Sequence, residues 1–200
     1  MKKQVCLLLV VLLLSLTACK QPNENGEANK SEEAITAFDA FLSGKRTALH
    51  KDGSTISIEE YLESATGEYA IYDMNDDDVP ELLIKTEHEL SIFWLKENVL
   101  VLWHNNNAYA KPLNNMAILS TRTGTAPQHT DYVYLILDYQ GNESYKLAFS
   151  EYAPTEYQDV SYPAKYLING SEVSKEVYDS TTSSITGLSD DKILWKPLND

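Results

Sequence analysis

Between residues 68 and 149 the chain is cut into short runs, around 68–72, 81–86, 90–95, 99–103, 116–121, 132–139 and 144–149. They are rich in Val, Ile, Tyr, Phe and Trp and are separated by turn residues, so they read as strands. Leu90–Leu95 and Val99–Trp103 flank Lys96-Glu97-Asn98, and Tyr132–Tyr139 and Ser144–Phe149 flank Gln140-Gly141-Asn142-Glu143. Both pairs are expected to be hairpins. Leu90–Leu95 and Tyr132–Leu137 are apolar almost throughout, which predicts strands covered on both faces. Tyr145, Leu147 and Phe149 alternate with Lys146, Ala148 and Ser150, which predicts one buried face.

Helical signals lie on either side of this strand-rich span. Ser31 can cap a helix running to Leu42, with Glu32 and Glu33 at its positive end, Ile35, Phe38, Phe41 and Leu42 on one apolar face, and Gly44 to end it. A short helix is expected over Ile58–Ser64, from a Ser57/Glu60 capping box and an Ile56/Tyr61 staple. Asn169-Gly170 marks another turn, and Ser174 can cap a last helix over about 175–185, weakened by Thr181, Thr182, Ser183 and Ser184. The expected class is α+β: a mainly antiparallel sheet with N-terminal helices and a short C-terminal helix packed against one face. Lys111-Pro112-Leu113-Asn114-Asn115 is echoed by Lys196-Pro197-Leu198-Asn199-Asp200, but no longer repeat with a fixed period exists.

The N-terminus carries an address. Lys2 and Lys3 precede an apolar run from Val5 to Leu14, too short to span a bilayer, and small residues lead to Cys19. Leu16-Thr17-Ala18-Cys19 is similar to the lipobox of bacterial lipoproteins. That resemblance implies a signal peptide over 1–18, and diacylglycerol and palmitate on Cys19. It implies a lipid-anchored protein on the extracytoplasmic face of the cell membrane. Residues 19–30 then read as a lipidated cysteine and flexible tether, and 31–200 as a single globular domain.

Removing the signal leaves 182 residues, enough for one domain of ordinary size. Cys6 departs with the signal and Cys19 is acylated, so no thiol remains for a disulfide. The signal holds two of the lysines and no acid, so the net charge of −14 becomes −16 in the mature chain. Such a surface excludes nucleic acid as a partner and favours divalent cations.

One motif carries chemistry. In Asp73-Met74-Asn75-Asp76-Asp77-Asp78-Val79-Pro80-Glu81, side-chain oxygens recur at 73, 75 and 77. A hard cation such as Ca2+ takes six to eight oxygens, and alternate side chains of a tight loop converge on one point. The string resembles the calcium loops of the EF-hand, the dockerin and, most closely, the FG-GAP repeat. The resemblance assigns Asp73, Asn75 and Asp77 as side-chain ligands, the Val79 carbonyl as a further one and Glu81 as the closing acid. It departs from the pattern at Asp78, where glycine is usual, and at Ile84, where the EF-hand has glutamate. Asp tolerates the left-handed backbone better than most residues. A structural Ca2+ is the expected cofactor, in the weak range of about 10⁻⁴–10⁻³ M typical of extracellular modules.

No H-E-x-x-H pair, no G-x-S-x-G elbow and no free catalytic cysteine occurs. Two polar connections, Trp103–Tyr109 and Arg122–His129, are expected as loops. They offer Trp103, His104, Tyr109, Arg122 and His129 as candidate ligand contacts. The whole is similar to uncharacterised surface lipoproteins of Gram-positive bacteria. The expected function is a calcium-stabilised binding or scaffold module for an envelope protein or glycan. The alternatives are an envelope hydrolase using carboxylates and an accessory lipoprotein of a transporter.

Overall fold

The computed structural model describes residues 24–63, 66–125, 128–157, 160–189 and 191–198. The segment 1–18 expected as a signal peptide, Cys19 and the first residues of the expected tether lie outside these described residues. Among the described residues, no helix is long and apolar enough to cross a membrane.

Three helices are present among the described residues: α1 (Glu24–Leu42), α2 (Glu59–Leu62) and α3 (Lys175–Thr186). Strands β1 (Ala48–Leu49), β2 (Thr55–Ile56), β3 (Glu68–Tyr72), β4 (Glu81–Lys85), β5 (Glu89–Lys96), β6 (Val99–Asn107) and β15 (Lys196–Pro197) make a seven-stranded sheet. Its order is β15-β3-β4-β5-β6-β1-β2. Strands β7 (Ala110–Leu113), β8 (Ala117–Thr125), β9 (Gln128–Leu137), β10 (Glu143–Tyr152), β13 (Lys165–Ile168) and β14 (Ser171–Val173) make a six-stranded sheet in the order β14-β13-β10-β9-β8-β7. A separate hairpin joins β11 (Thr155–Tyr157) to β12 (Val160–Tyr162). Pairing is antiparallel apart from β1 on β6, so the α+β class holds.

The layering differs from one sheet with helices on one face. The two sheets stack, and each outer face carries a helix. In β4, Leu82 and Ile84 pack with Phe38 and Phe41 of α1, while Leu83 points the other way to meet Ile118, Leu135 and Leu137 of the second sheet. On that sheet's far face, Leu147 and Phe149 pack with Tyr178 of α3. Strands apolar on both sides therefore have a helix on one side and a sheet on the other. Along β5 the side chains alternate, with Leu90 and Ile92 in the inter-sheet core and Phe93 and Leu95 in the core beneath α1, while the pairing with β6 skips Trp103 of β6 as a bulge.

Helix α1 begins at Glu24, not Ser31, so residues 24–30 are helical where a flexible tether was expected. Once Phe38 and Phe41 anchor the helix, each added turn costs little, because nucleation is already met. The Asn29 amide donates to Glu33 Oε1 at 3.3 Å in this extension. The buried arc is Ala34, Ala37, Phe38 and Phe41, which rotates Ile35 to 40% exposure. Gly44 ends the helix at φ +69°, with Lys45 N–H donating to the Ala40 carbonyl. Only half of the expected capping box forms at α2: Glu60 accepts from Ser57 N–H at 2.8 Å, while the Ser57 hydroxyl bonds Glu59.

Ser174 caps α3 by accepting from Val177 N–H. Its hydroxyl-rich interior bonds back onto the helix, with Ser180 and Thr181 donating to the Val177 carbonyl and Thr182 to that of Tyr178. The Lys-Pro-Leu echo has a shared role: Pro112 lies in β7 and Pro197 in β15, each an edge strand of its sheet. Proline lacks the N–H that an inner strand must donate.

Candidate functional site

The acidic loop connects β3 to β4, neighbours in the first sheet. Met74 fixes its orientation. The Met74 side chain is wholly buried between the sheets, its carbonyl accepts from Met116 N–H at 2.9 Å and its own N–H donates to Glu81 Oε2 at 2.9 Å. The Tyr72 hydroxyl donates to Asn114, adding a second tie to the β7–β8 turn.

Side-chain oxygens of this loop accept its own backbone N–H groups. Asp73 Oδ1 accepts from Asn75 and Asp77 at 3.2 and 3.3 Å, and Asp73 Oδ2 accepts from Asp78 at 2.8 Å. Asn75 Oδ1 accepts from Asp77 at 3.0 Å and Asp77 Oδ1 from Val79 at 2.9 Å. Asp76 and Asp78 take φ of +56° and +66°, so Asp78 holds the left-handed conformation for which glycine is usual. These reversals wind the chain around Asp73 and Asp77.

Glu81 opens β4 with only 3% of its surface exposed. Burial, helped by the charges of Asp77 and Asp73 and opposed by the Met74 N–H bond, pushes its carboxyl up to about 8. Every donor in the set Asp73, Asn75, Asp77, Val79 carbonyl and Glu81 is oxygen, which suits a hard divalent cation and disfavours a soft one. Among the described residues, no three carboxylate, imidazole or thiolate groups are drawn together as a finished metal cage. The carboxylates of Asp73 and Asp77 instead bond to loop N–H groups.

A cleft of about 440 Å³ lies beside the loop, where Asp77, Val79 and Glu81 meet Lys30 and Glu33 of α1 and Lys96 at the end of β5. The packing of α1 beside the acidic loop had no signal in the sequence, because it joins segments more than forty residues apart.

The five other candidate residues do not form one site. The stretches expected as loops are largely strand, since Trp103–Asn107 belongs to β6 and Arg122–Thr125 to β8. Pairing with β5 overrides their polar composition: Asn105 lies opposite Ser91, and its amide donates to Glu89 at 2.6 Å. Trp103 and His104 line a cleft of about 390 Å³ with His50, Lys51 and Asp52. His104 Nδ1 lies 3.3 Å from the Gly141 carbonyl, and burial lowers the pKa of its imidazole. Tyr109 and Arg122 line a different cleft, with Asn107 and Asp131. His129 stacks on Tyr152 at 5.0 Å and approaches Asp131 to 3.4 Å. Asp131 was missed by sequence reasoning; the register of the β8–β9 hairpin, which sets Arg122 against Asp131, is the signal that would have found it.

Comparison with known proteins finds no family model, no curated protein and no solved structure that matches this chain.

Proposed function

We propose that the chain is an extracytoplasmic lipoprotein, anchored at Cys19, whose domain holds a structural Ca2+ at Asp73–Glu81 and serves as a binding or scaffold module. The observation that carries the calcium reading is the loop itself. Carboxylates wind it tightly between two neighbouring strands, and a third, on Glu81, is buried behind them at the cost of its charge. When bound, the cation would supply the positive charge that lets Asp73, Asp77 and Glu81 remain ionised side by side. Asp73, Asn75 and Asp77 would hold it by side chains, Val79 by its carbonyl, and Glu81 would close the site. The lipobox supports the location, and the acidic domain with its oxygen-rich loop at a strand connection supports the scaffold role.

Calorimetric titration and thermal melting of the full chain in detergent, with Ca2+ and with EDTA, test the loop. Ca2+ at millimolar concentration is expected to release or take up heat and to raise Tm, and Asp73→Ala is expected to abolish both. No heat and no shift in Tm would overturn the metal. Labelling with radioactive palmitate, lost in Cys19→Ala, tests the anchor.

A further inference from the structure

The inter-sheet face of β8 and β9 changes character along its length. Paired residues share a face of the sheet, and the pairs run Ile118 with Leu135, Ser120 with Val133, Arg122 with Asp131 and Gly124 with His129. The first pair is core, with Ile118 fully buried, whereas Arg122 is exposed. The face therefore leaves the sandwich and becomes a polar shelf. A cleft of about 350 Å³ stands where this shelf meets the chain between β6 and β7.

Its walls are chemically mixed. Tyr109, 67% exposed, supplies an aromatic ring, Arg122 and Asp131 supply opposite charges, and Asn107 supplies an amide. Among the described residues Arg122 makes no ion pair, although Asp131 lies opposite it. The next rung pairs a glycine with an aromatic ring. A Cβ on Gly124 would lie 2.1 Å from His129 Cε1, so the absence of a side chain there leaves room for the His129 ring, which stacks on Tyr152 of β10 at an interplanar angle of 14°.

We propose that this shelf is a saccharide-binding site for one or two sugar rings, with Tyr109 against an apolar ring face and Arg122, Asp131 and Asn107 on the hydroxyls; the assignment rests on the binding-module reading above. The opposite charges of Arg122 and Asp131 leave the shelf without a dominant sign, and the chain's net −14 repels polyanions. A purely apolar ligand would find Val133 as the one aliphatic side chain of the lining. Arg only donates and a carboxylate only accepts, so adjacent hydroxyls, each donor and acceptor, satisfy both at once. The volume sits near the low end of small-molecule sites, roughly 300–1,000 Å³.

The test is a glycan array probed with the full chain in detergent, followed by calorimetry with N-acetylglucosamine dimer, cellobiose and maltose. Tyr109→Ala and Arg122→Gln are each expected to weaken binding at least ten-fold. Tyr139→Ala, an equally exposed tyrosine on the β9–β10 turn, is expected to leave it unchanged. Saturation-transfer NMR on the unaltered protein should show ring protons of the sugar closest to the protein, a readout independent of any variant. An array with no retained sugar, or binding equal in all three variants, would overturn the assignment. Tyr109-dependent cross-linking of an envelope protein without sugar retention would overturn it too, while leaving the binding-module reading intact.

Discussion

Glu81 gives the loop a pH signature in the absence of metal. Its carboxyl titrates near 4.5 in the unfolded chain and at about 8 in the folded one. Across that window the folded state binds more protons, so Glu81's contribution to stability is complete below about pH 4.5 and is lost as pH rises towards 8. In EDTA, the Tm difference between the wild type and Glu81→Gln should therefore move against the wild type from pH 5 to pH 8; a constant difference would show that Glu81 is not the group responsible. Two glycines offer a contrast at the same scale. Gly141 and Gly170 have φ of +72° and +79°, but a Cβ on Gly141 would lie 2.0 Å from the Trp103 carbonyl oxygen, whereas nothing lies within 4 Å of Gly170. Gly170→Ala should cost about 1–2 kcal/mol for the left-handed backbone alone. Gly141→Ala should add roughly 1–3 kcal/mol for the displaced backbone. Urea denaturation of the two variants measures the difference.

Helix α3 depends on its start more than on its interior, whose threonines and serines are poor helix formers. Ser174→Ala removes the cap and should destabilise the protein by about 1 kcal/mol, read as a lower urea midpoint with unchanged slope. The elements whose signals are local were legible in the sequence. The β5–β6 hairpin turns at Glu97 and Asn98, both at positive φ, and the β13–β14 hairpin at Asn169-Gly170. The alternating oxygens of residues 73, 75 and 77 were legible for the same reason. What depends on distant pairing was not. The length of β6 comes from partners in β5, the stacking of two sheets from residues on both faces of β4, and the convergence of Tyr109, Arg122 and Asp131 from the β8–β9 register. The start of α1 escaped because extension past Ser31 follows from anchoring at Phe38 and Phe41, not from the composition of residues 24–30.

Across the whole molecule, the three cores predict an uneven distribution of stability. Strands β4 and β5 are covered on both faces, whereas β11 and β12 pair only with each other and Val160–Tyr162 is exposed throughout. Hydrogen exchange should be slowest at Leu82–Ile84 and Ile92–Phe93 and fastest at β11–β12; similar protection in both would contradict this layering. The sheet margins carry a different consequence. Among the described residues, the outermost strands of the two larger sheets are short or carry proline: β2 is two residues long, β14 is three, and β7 and β15 carry Pro112 and Pro197. For a protein held to a membrane as proposed here, neighbouring copies share a thin layer in which encounters are frequent. Short, proline-bearing outer strands are poor templates for another strand, which disfavours zipping of the two larger sheets into ribbons and suits dense display on the cell envelope with each copy remaining separate.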